Sequence, residues 1–407
     1  MKSLGFSSKL KMPSAIRISL PIYFLLSVGV SLQISGSNWD IVWHGVGNVE
    51  TFFTPPHLVI YSGVALALGS IIMGSIQWAA SIGPKKKDVK WFVLVPLSFP
   101  FPFKLAAAGC LLQISAGPFD FWWHSLFGFD GLLSPPHSVL AAGMLMAALG
   151  ALTGINIHCS YPRRKNNNRL SLLLSKLYFS VGYAIFLMVS VGIILMFTLP
   201  FSKGQYFDFN PNPFAALAAA SVFIPFVFAI YLFTAAKNSS CSTIGRIPFV
   251  LSPIVAVVML IQSATTITSN SYFGWLFPLY LLNIIPALVS DILILGLLDK
   301  NRHKTLIDSI LLGAVKAKKI STMNRYLAAS LIVSIFYLTL FFPWTVDIYG
   351  GYFEPPDTVR TEQFFVQLLL PVILPISLPV TTVSSLTGGL VAQKLIKTAK
   401  LGSMILS

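Results

Sequence analysis

Residues 32–63 read LQISGSNWDIVWHGVGNVETFFTPPHLVIYSG, and residues 112–143 read LQISAGPFDFWWHSLFGFDGLLSPPHSVLAAG. The two stretches align from end to end without a gap, and 12 of the 32 aligned positions are identical. Four of the six histidines in the chain lie in these two copies, each time in the pattern Asp-x3-His-x12-His. The repeat predicts two equivalent structural units that carry the same polar side chains.

The sequence around the repeat is typical of a membrane protein. Hydrophobic residues make up 55% of the 407 residues and charged residues only 10%, whereas about a quarter of a soluble domain is charged. Apolar runs long enough to cross a bilayer recur along the whole chain. We therefore predict an all-α, polytopic membrane bundle of about ten transmembrane helices that form five hairpins. The predicted spans are 15–34, 57–80, 91–114, 136–156, 176–200, 213–236, 247–268, 274–297, 325–344 and 364–390.

The distribution of charge predicts the orientation in the membrane. The net charge is +15, but the basic residues are concentrated in alternate connections, which indicates cytoplasmic loops and no nucleic-acid partner. Nine of the 13 acidic residues lie in the other connections, which include both motif loops. The positive-inside rule then places both termini in the cytoplasm and the motif loops on the non-cytoplasmic side of the cell membrane.

The chain divides into two regions. Residues 1–160 contain the duplicated hairpins, and residues 161–407 form a predicted six-helix membrane region whose role no motif indicates. Lys104 and Asp291 are predicted to lie inside spans, where charged residues are functional candidates. The alternatives are that Lys104 extends to the interface or pairs with a carbonyl, and that Asp291 caps a neighbouring helix near the inner surface. We expect His158 and His303 to be solvated among basic residues on the cytoplasmic side.

The spacing within the first copy brings three polar side chains together. Asp40 and His44 are four residues apart, so on a helix they project from one face. Two glycines close behind His44 favour the end of that helix, and two prolines before His57 favour the first turn of the next. Trp43 and Trp123, which precede histidines, are interpreted either as interfacial aromatic residues or as a shield around the site.

The second copy repeats the set with Asp120, His124 and His137. Two histidines and one carboxylate are a recurrent ligand set for a metal that keeps open positions. The alternative is hydrogen bonding at helix ends, but the cost of ionisable groups near hydrocarbon favours metal binding at both triads. Glu50 and Asp130 are acidic in both copies, and they are interpreted either as additional metal partners or as solvated loop residues.

The pattern resembles the C subunit of the copper membrane monooxygenases, the methane and ammonia monooxygenases, over about residues 15–160. That family carries a Trp- or Tyr-His pair and a stretch close to RDTDFTPSH, which residues 48–57 match as NVETFFTPPH. The resemblance implies that Asp40, His44 and His57 form one copper site. Three further residues match the family's second site, an Asn-x3-His-x13-His arrangement. They are Asp120, in place of the asparagine, His124 and His137.

The resemblance also implies a role. A chain of this kind belongs to an oxidising complex in the lipid bilayer with other membrane subunits, and copper is its cofactor, with zinc or iron as alternative metals. The sequence leaves open whether the chain is itself an enzyme. The competing interpretation is a metal transporter, or a metal-handling or assembly protein that binds metal without turnover.

Overall fold

The computed structural model describes most of the N-terminal half of the chain and the last long helix. The described ranges are 17–45, 51–82, 91–92, 95–96, 99–128, 133–160, 169–196, 213–240, 254–255, 257–258, 327–336 and 374–401, with the positions 261, 284, 288–289, 291–292, 338 and 371.

Helices dominate these residues, which confirms the all-α prediction. They are α1 Leu20–Gly45, α2 Pro55–Ile82, α3 Phe101–Phe127, α4 Pro135–Ser160, α5 Arg169–Met196, α6 Pro213–Ser240, the short α7 Leu327–Phe336 and α8 Leu374–Leu401. Between α2 and α3 the chain forms a small antiparallel pair of strands, β1 Trp91–Phe92 and β2 Val95–Pro96, with Trp91 opposite Pro96.

Five of the helices contain segments that are long and apolar enough to cross a membrane. They are Leu20–Ile41, Pro55–Ser81, Pro135–Cys159, Leu173–Ile193 and Pro375–Lys394. The multi-pass membrane character predicted from composition is therefore confirmed. The predicted spans at 247–268 and 274–297 fall almost entirely outside the described residues, as do both termini, so the ten-span arrangement and the orientation stay predictions.

Two predicted boundaries next to the repeat were wrong. The span predicted at 91–114 is a helix that begins at Phe101 and continues to Phe127, because residues 91–96 contain the strand pair. Pro100 sets the start of α3, and its carbonyl accepts hydrogen bonds from the next turn of the helix. The span predicted at 15–34 continues as a helix to Gly45. Each acid-histidine pair consequently lies on the last turns of a long helix.

Close backbone contact holds each hairpin together. A Cβ atom on Gly63 would lie 2.5 Å from the carbonyl oxygen of Gly29, across α1 and α2. In the second hairpin, a Cβ atom on Gly109 would lie 2.5 Å from the carbonyl oxygen of Gly143. Small residues let membrane helices approach in this way. Because the two pairs occupy equivalent positions in the aligned copies, the repeat includes the packing of the helices as well as the polar motif.

The two hairpins pack against each other in a matched way. Helix α1 packs along α4, and α2 packs along α3. If the two hairpins exchange places, α1 takes the place of α3 and α2 that of α4, so the α1–α4 interface becomes the α3–α2 interface. This is the pattern of an approximate two-fold relation. Helix α5 contacts both α1 and α4, and α6 packs against α8. The motif ends of both hairpins therefore meet at one end of the bundle.

His158 and Asp291 are among the buried polar residues outside the repeat. His158 was expected to be solvated, but it is 7% exposed, and its Nε2 donates to the carbonyl oxygen of Ile18 at 2.7 Å. That prediction was wrong because Ile18 lies against the last turn of α4. Asp291 is 6% exposed and accepts a hydrogen bond of 3.4 Å from the hydroxyl of Tyr231 on α6.

Candidate metal centre

The helix starts place one histidine of each triad. The carbonyl of Thr54 accepts a hydrogen bond of 3.0 Å from the amide of Leu58, and the carbonyl of Ser134 accepts one of 2.9 Å from the amide of Ser138. Thr54 and Ser134 therefore directly precede α2 and α4, and Pro-Pro occupies the first two helical positions of each. Proline costs little there, because the first amides of a helix have no partner within it. The histidine follows as the third residue of each helix.

The first triad lies entirely within the first hairpin. His44 Nε2 is 3.4 Å from Asp40 Oδ2, one turn apart on α1, and His57 Nε2 is 3.3 Å from Asp40 Oδ1. The side chains of Asp40 and His57 are 15% and 10% exposed. The predicted convergence of these three residues is thus observed.

The second triad repeats this arrangement in the second hairpin, except that both imidazoles face one carboxylate oxygen. His124 Nε2 and His137 Nε2 lie 3.4 and 3.2 Å from the same atom, Asp120 Oδ1. The side chains are again partly buried, with Asp120 at 19% exposure. All six predicted ligands therefore belong to one of two compact groups.

The donor sets fit a metal ion. In each triad the three ligand atoms lie within 4.8 Å of one another. Ligands about 2.1 Å from a tetrahedral ion are about 3.4 Å apart, close to the observed nitrogen–oxygen separations of 3.2–3.4 Å. Asp40 Oδ1 and Asp120 Oδ1 are buried and lie 3.2–3.4 Å from imidazole nitrogens of the same triad. Nitrogens at this distance can serve as co-ligands of an ion that the carboxylate holds.

Two backbone carbonyls orient the imidazoles. His57 Nδ1 lies 3.1 Å from the carbonyl oxygen of Thr51, and His124 Nδ1 lies 3.0 Å from that of Gly128. A carbonyl only accepts, so both Nδ1 atoms carry the hydrogen, and both Nε2 lone pairs are left for a metal. Gly128 has φ 71° and ends α3, and its amide donates a hydrogen bond of 3.0 Å to the carbonyl oxygen of His124.

The two triads are neighbours. The ring centroids of His44 and His124 are 6.5 Å apart, a separation similar to that between His44 and His57 in the same triad. The sequence predicted one site at the tip of each hairpin but gave no distance between them. The packing of α1 on α4 and of α2 on α3 brings both sites into a single centre of four histidines and two aspartates.

Two cavities adjoin this centre. Cavity A, of about 50 Å³, lies between α2 and the second hairpin, and cavity B, of about 110 Å³, lies between α1, α4 and α5. Asp40 and His137 line both. The α2 residues of cavity A are His57, Ile60, Tyr61 and Val64, and the α4 residues of cavity B are His137, Leu140, Ala141 and Met144. These two sets align one to one in the repeat, so the cavities occupy equivalent places in its two halves.

The remaining candidates lie apart from the ligands. Trp43 packs edge-on to Trp39, and Trp123 packs on Phe127 with ring centroids 4.5 Å apart. Neither Trp43 nor Trp123 is among the residues that line cavities A and B, which favours the interfacial interpretation.

The acidic residues at positions 50 and 130 are outside the described part of the chain. The sequence did not indicate that the carbonyl of Thr51 would orient a histidine. For Gly128, the only sequence signal was a glycine at the end of a helix.

Comparison of the chain with protein-family models, with curated proteins and with solved structures finds no match. The resemblance to the monooxygenase subunit stays a prediction from the motif. The structure shows a membrane-type helical protein with two adjacent Asp-His-His groups that can hold metal ions.

Proposed function

We propose that this chain binds copper in its two adjacent triads and takes part in an oxidising membrane complex related to the copper membrane monooxygenases. The observation that carries the proposal is the convergence of two imidazole Nε2 atoms on one carboxylate, repeated at matching positions of both hairpins.

The donor set favours copper. Imidazole nitrogens suit copper, zinc, iron and nickel, and copper(II) binds such sites most tightly among the divalent first-row metals. One carboxylate per triad neutralises one charge, so a copper(I) ion leaves each triad neutral in apolar surroundings. Bound copper would supply oxygen activation or electron transfer. The protein residues hold the ion, fix the imidazole tautomers and keep one side open to a cavity.

The adjacency of the triads adds an electrostatic argument. Asp40 and Asp120 both line cavity A, so the centre gathers two partly buried carboxylates. Like charges repel strongly where water is scarce. Cations bound at the two triads would offset both the repulsion and the desolvation of the carboxylates. A structural role in helix capping would not require two acids at this position.

Metal analysis of the purified full-length protein tests the proposal. Wild type is compared with His44→Ala, His124→Ala and the double variant after loading with copper and removal of weakly held metal. We expect two metal equivalents in the wild type, about one in each single variant and about none in the double variant. His303→Ala, which changes a histidine outside the triads, is the matched control. Equal copper content in the wild type and the double variant would refute the proposal.

A transport or metal-handling function is the second candidate. It is favoured by Asp291, a buried carboxylate far from the triads in sequence, which Tyr231 contacts. Copper flux into proteoliposomes separates the candidates: a transporter moves the ion and loses flux in Asp291→Asn, whereas the oxidising role predicts no flux. Oxygen consumption by membranes that contain the chain and its partner subunits measures the oxidising role directly.

A further inference from the structure

Cavity A contains a polar group that metal binding leaves unexplained. Gln113 on α3 lines this cavity and is only 4% exposed, and among the described residues neither its amide nitrogen nor its amide oxygen has a hydrogen-bond partner. An unpaired buried amide is costly, because it has lost its hydrogen bonds to water and gained none in return. A bound molecule that both donates and accepts a hydrogen bond would recover that cost.

The cavity has polar ends and an apolar middle. The ligands Asp120, His57 and His137 line one end. Gln113 lies two turns before Asp120 on α3, which is about 10 Å along a helix axis, and so marks the deep end. The wall between is apolar and is formed by Ile60, Val64, Ala116 and Leu140. A slender molecule fits this space better than a compact or charged one.

Aromatic rings close the outer side of the same cavity. The ring of Phe52 lies 5.2 Å from that of Tyr61 and 6.1 Å, edge-on, from that of Phe121. The repeat equivalents of Tyr61 and Phe121 are Ala141 and Ile41, which line cavity B. The enclosure therefore belongs to cavity A and not to its equivalent, so the two halves of the repeat have diverged.

We propose that cavity A binds a small, unbranched, uncharged molecule that carries a hydroxyl group at one end. The hydroxyl group pairs with the Gln113 amide, and the short apolar body lies along Ile60, Val64 and Leu140 and points towards the metal ligands. The hydroxyl is the simplest group that donates and accepts at one atom, as the amide requires. This inference concerns a second ligand and does not require that a metal be bound.

The chain offers a matched control. Gln33 is the equivalent residue of the first copy; it is fully buried, and its amide likewise has no hydrogen-bond partner within the part of the chain that the structure describes. A Cβ atom on Gly63 would lie 2.8 Å from Gln33 Cγ, and one on Gly143 would lie 2.6 Å from Gln113 Cγ. The two glutamines thus pack alike, but Gln33 lines neither cavity A nor cavity B. Gln33→Leu reproduces the packing effect of Gln113→Leu without changing the pocket.

Fluorine NMR of the full-length protein in detergent tests the proposal with two probes of equal size, 3-fluoropropan-1-ol and 1-fluorobutane. Both probes also partition into the detergent micelle. We therefore compare the ratio of the two affinities between variants, because the contribution of the micelle is the same in each variant. We expect the ratio of alcohol affinity to 1-fluorobutane affinity to be roughly three- to tenfold higher in wild type and in Gln33→Leu than in Gln113→Leu, the effect of one hydrogen bond. Gln113→Leu should still bind 1-fluorobutane, which shows that the pocket persists. Ala116→Leu, which narrows the cavity, should weaken both probes.

The measurement is made on both chelator-treated and copper-loaded protein. In the metal-free protein, a higher affinity ratio in wild type than in Gln113→Leu supports the pocket even if copper fails to bind. An equal ratio in Gln113→Leu and wild type overturns the proposal, and so does the absence of saturable binding of either probe to wild type, which would mean that the cavity holds only water.

Discussion

His44 and His124 belong to different copies of the repeat, yet the centroids of their imidazole rings are separated by only 6.5 Å. This short separation places the two triads in one centre. Ions bound in the two triads can therefore be tested together.

Two copper(II) ions bound in the two triads should interact magnetically. We expect the fully loaded wild type to show a broadened electron paramagnetic resonance spectrum with less signal than its copper content. His124→Ala should give the sharp spectrum of an isolated ion, because the second triad is lost. An unbroadened spectrum from wild type with two bound copper ions would contradict the adjacency.

Asp120→Asn should weaken one triad only. The variant keeps a side-chain oxygen but loses the charge that balances the ion, so we expect copper affinity at the second triad to fall by more than the roughly ten- to hundredfold that the loss of an outer-shell partner costs. The first triad, with Asp40 unchanged, is the internal control. Competition with a chelator of known affinity measures both sites. Equal weakening of both sites would show that the triads do not bind independently.

Gly128→Ala should disturb the second triad from outside its ligands. Gly128 has φ 71° and ψ −166°, a backbone conformation that is essentially restricted to glycine and that costs other residues about 1–3 kcal/mol, and its carbonyl orients His124. We expect a lower unfolding temperature and about tenfold weaker copper binding at that triad. Gly69→Ala is the control, because a Cβ atom there would meet nothing within 4 Å. Unchanged affinity in Gly128→Ala would exclude the orienting role.

Gly63→Ala should loosen the first hairpin. The added Cβ atom would lie 2.5 Å from the carbonyl oxygen of Gly29, so α1 and α2 must separate. Overpacking of this kind costs about 1–3 kcal/mol. We expect a lower unfolding temperature and a loss of copper from the first triad, whose ligands lie on both helices. The second triad should keep its metal; loss from both would mean that the hairpins are not independent units.

Labelling with a membrane-impermeant maleimide tests the predicted orientation. In a variant without the three native cysteines, Phe53→Cys should be labelled on intact cells, because Phe53 is 68% exposed beside the motif. Asn167→Cys, in a basic connection, should be labelled only after the cells are opened. The reverse pattern would place the motif in the cytoplasm.

Much of the centre could be predicted from the sequence because its pieces are local. The four-residue spacing of Asp40 and His44 fixes their common face on a helix, and the two prolines before His57 fix the start of the next helix. The identity of all six ligands follows from these short-range rules and from the repeat.

Other features depend on contacts between distant segments. The distance between the triads results from the packing of hairpin on hairpin, which no local spacing encodes. The contact of Thr51 with His57 uses a backbone carbonyl, so the side chain at position 51 does not reveal it. Burial of His158 requires Ile18, which lies at the opposite end of the duplicated region. The late start of α3 depends on strand pairing in residues 91–96. These residues are as apolar as the helix that follows, so composition does not distinguish the two.

Each triad is complete within one hairpin, with two ligands on the outgoing helix and one on the returning helix. A bound ion would therefore act as a cross-link across the open end of the hairpin, much as a disulfide closes a short loop. Its binding energy would add to the free energy of unfolding. Loss of metal would then loosen the bundle at the motif end first, and metal supply would control both the chemistry and the lifetime of the folded protein.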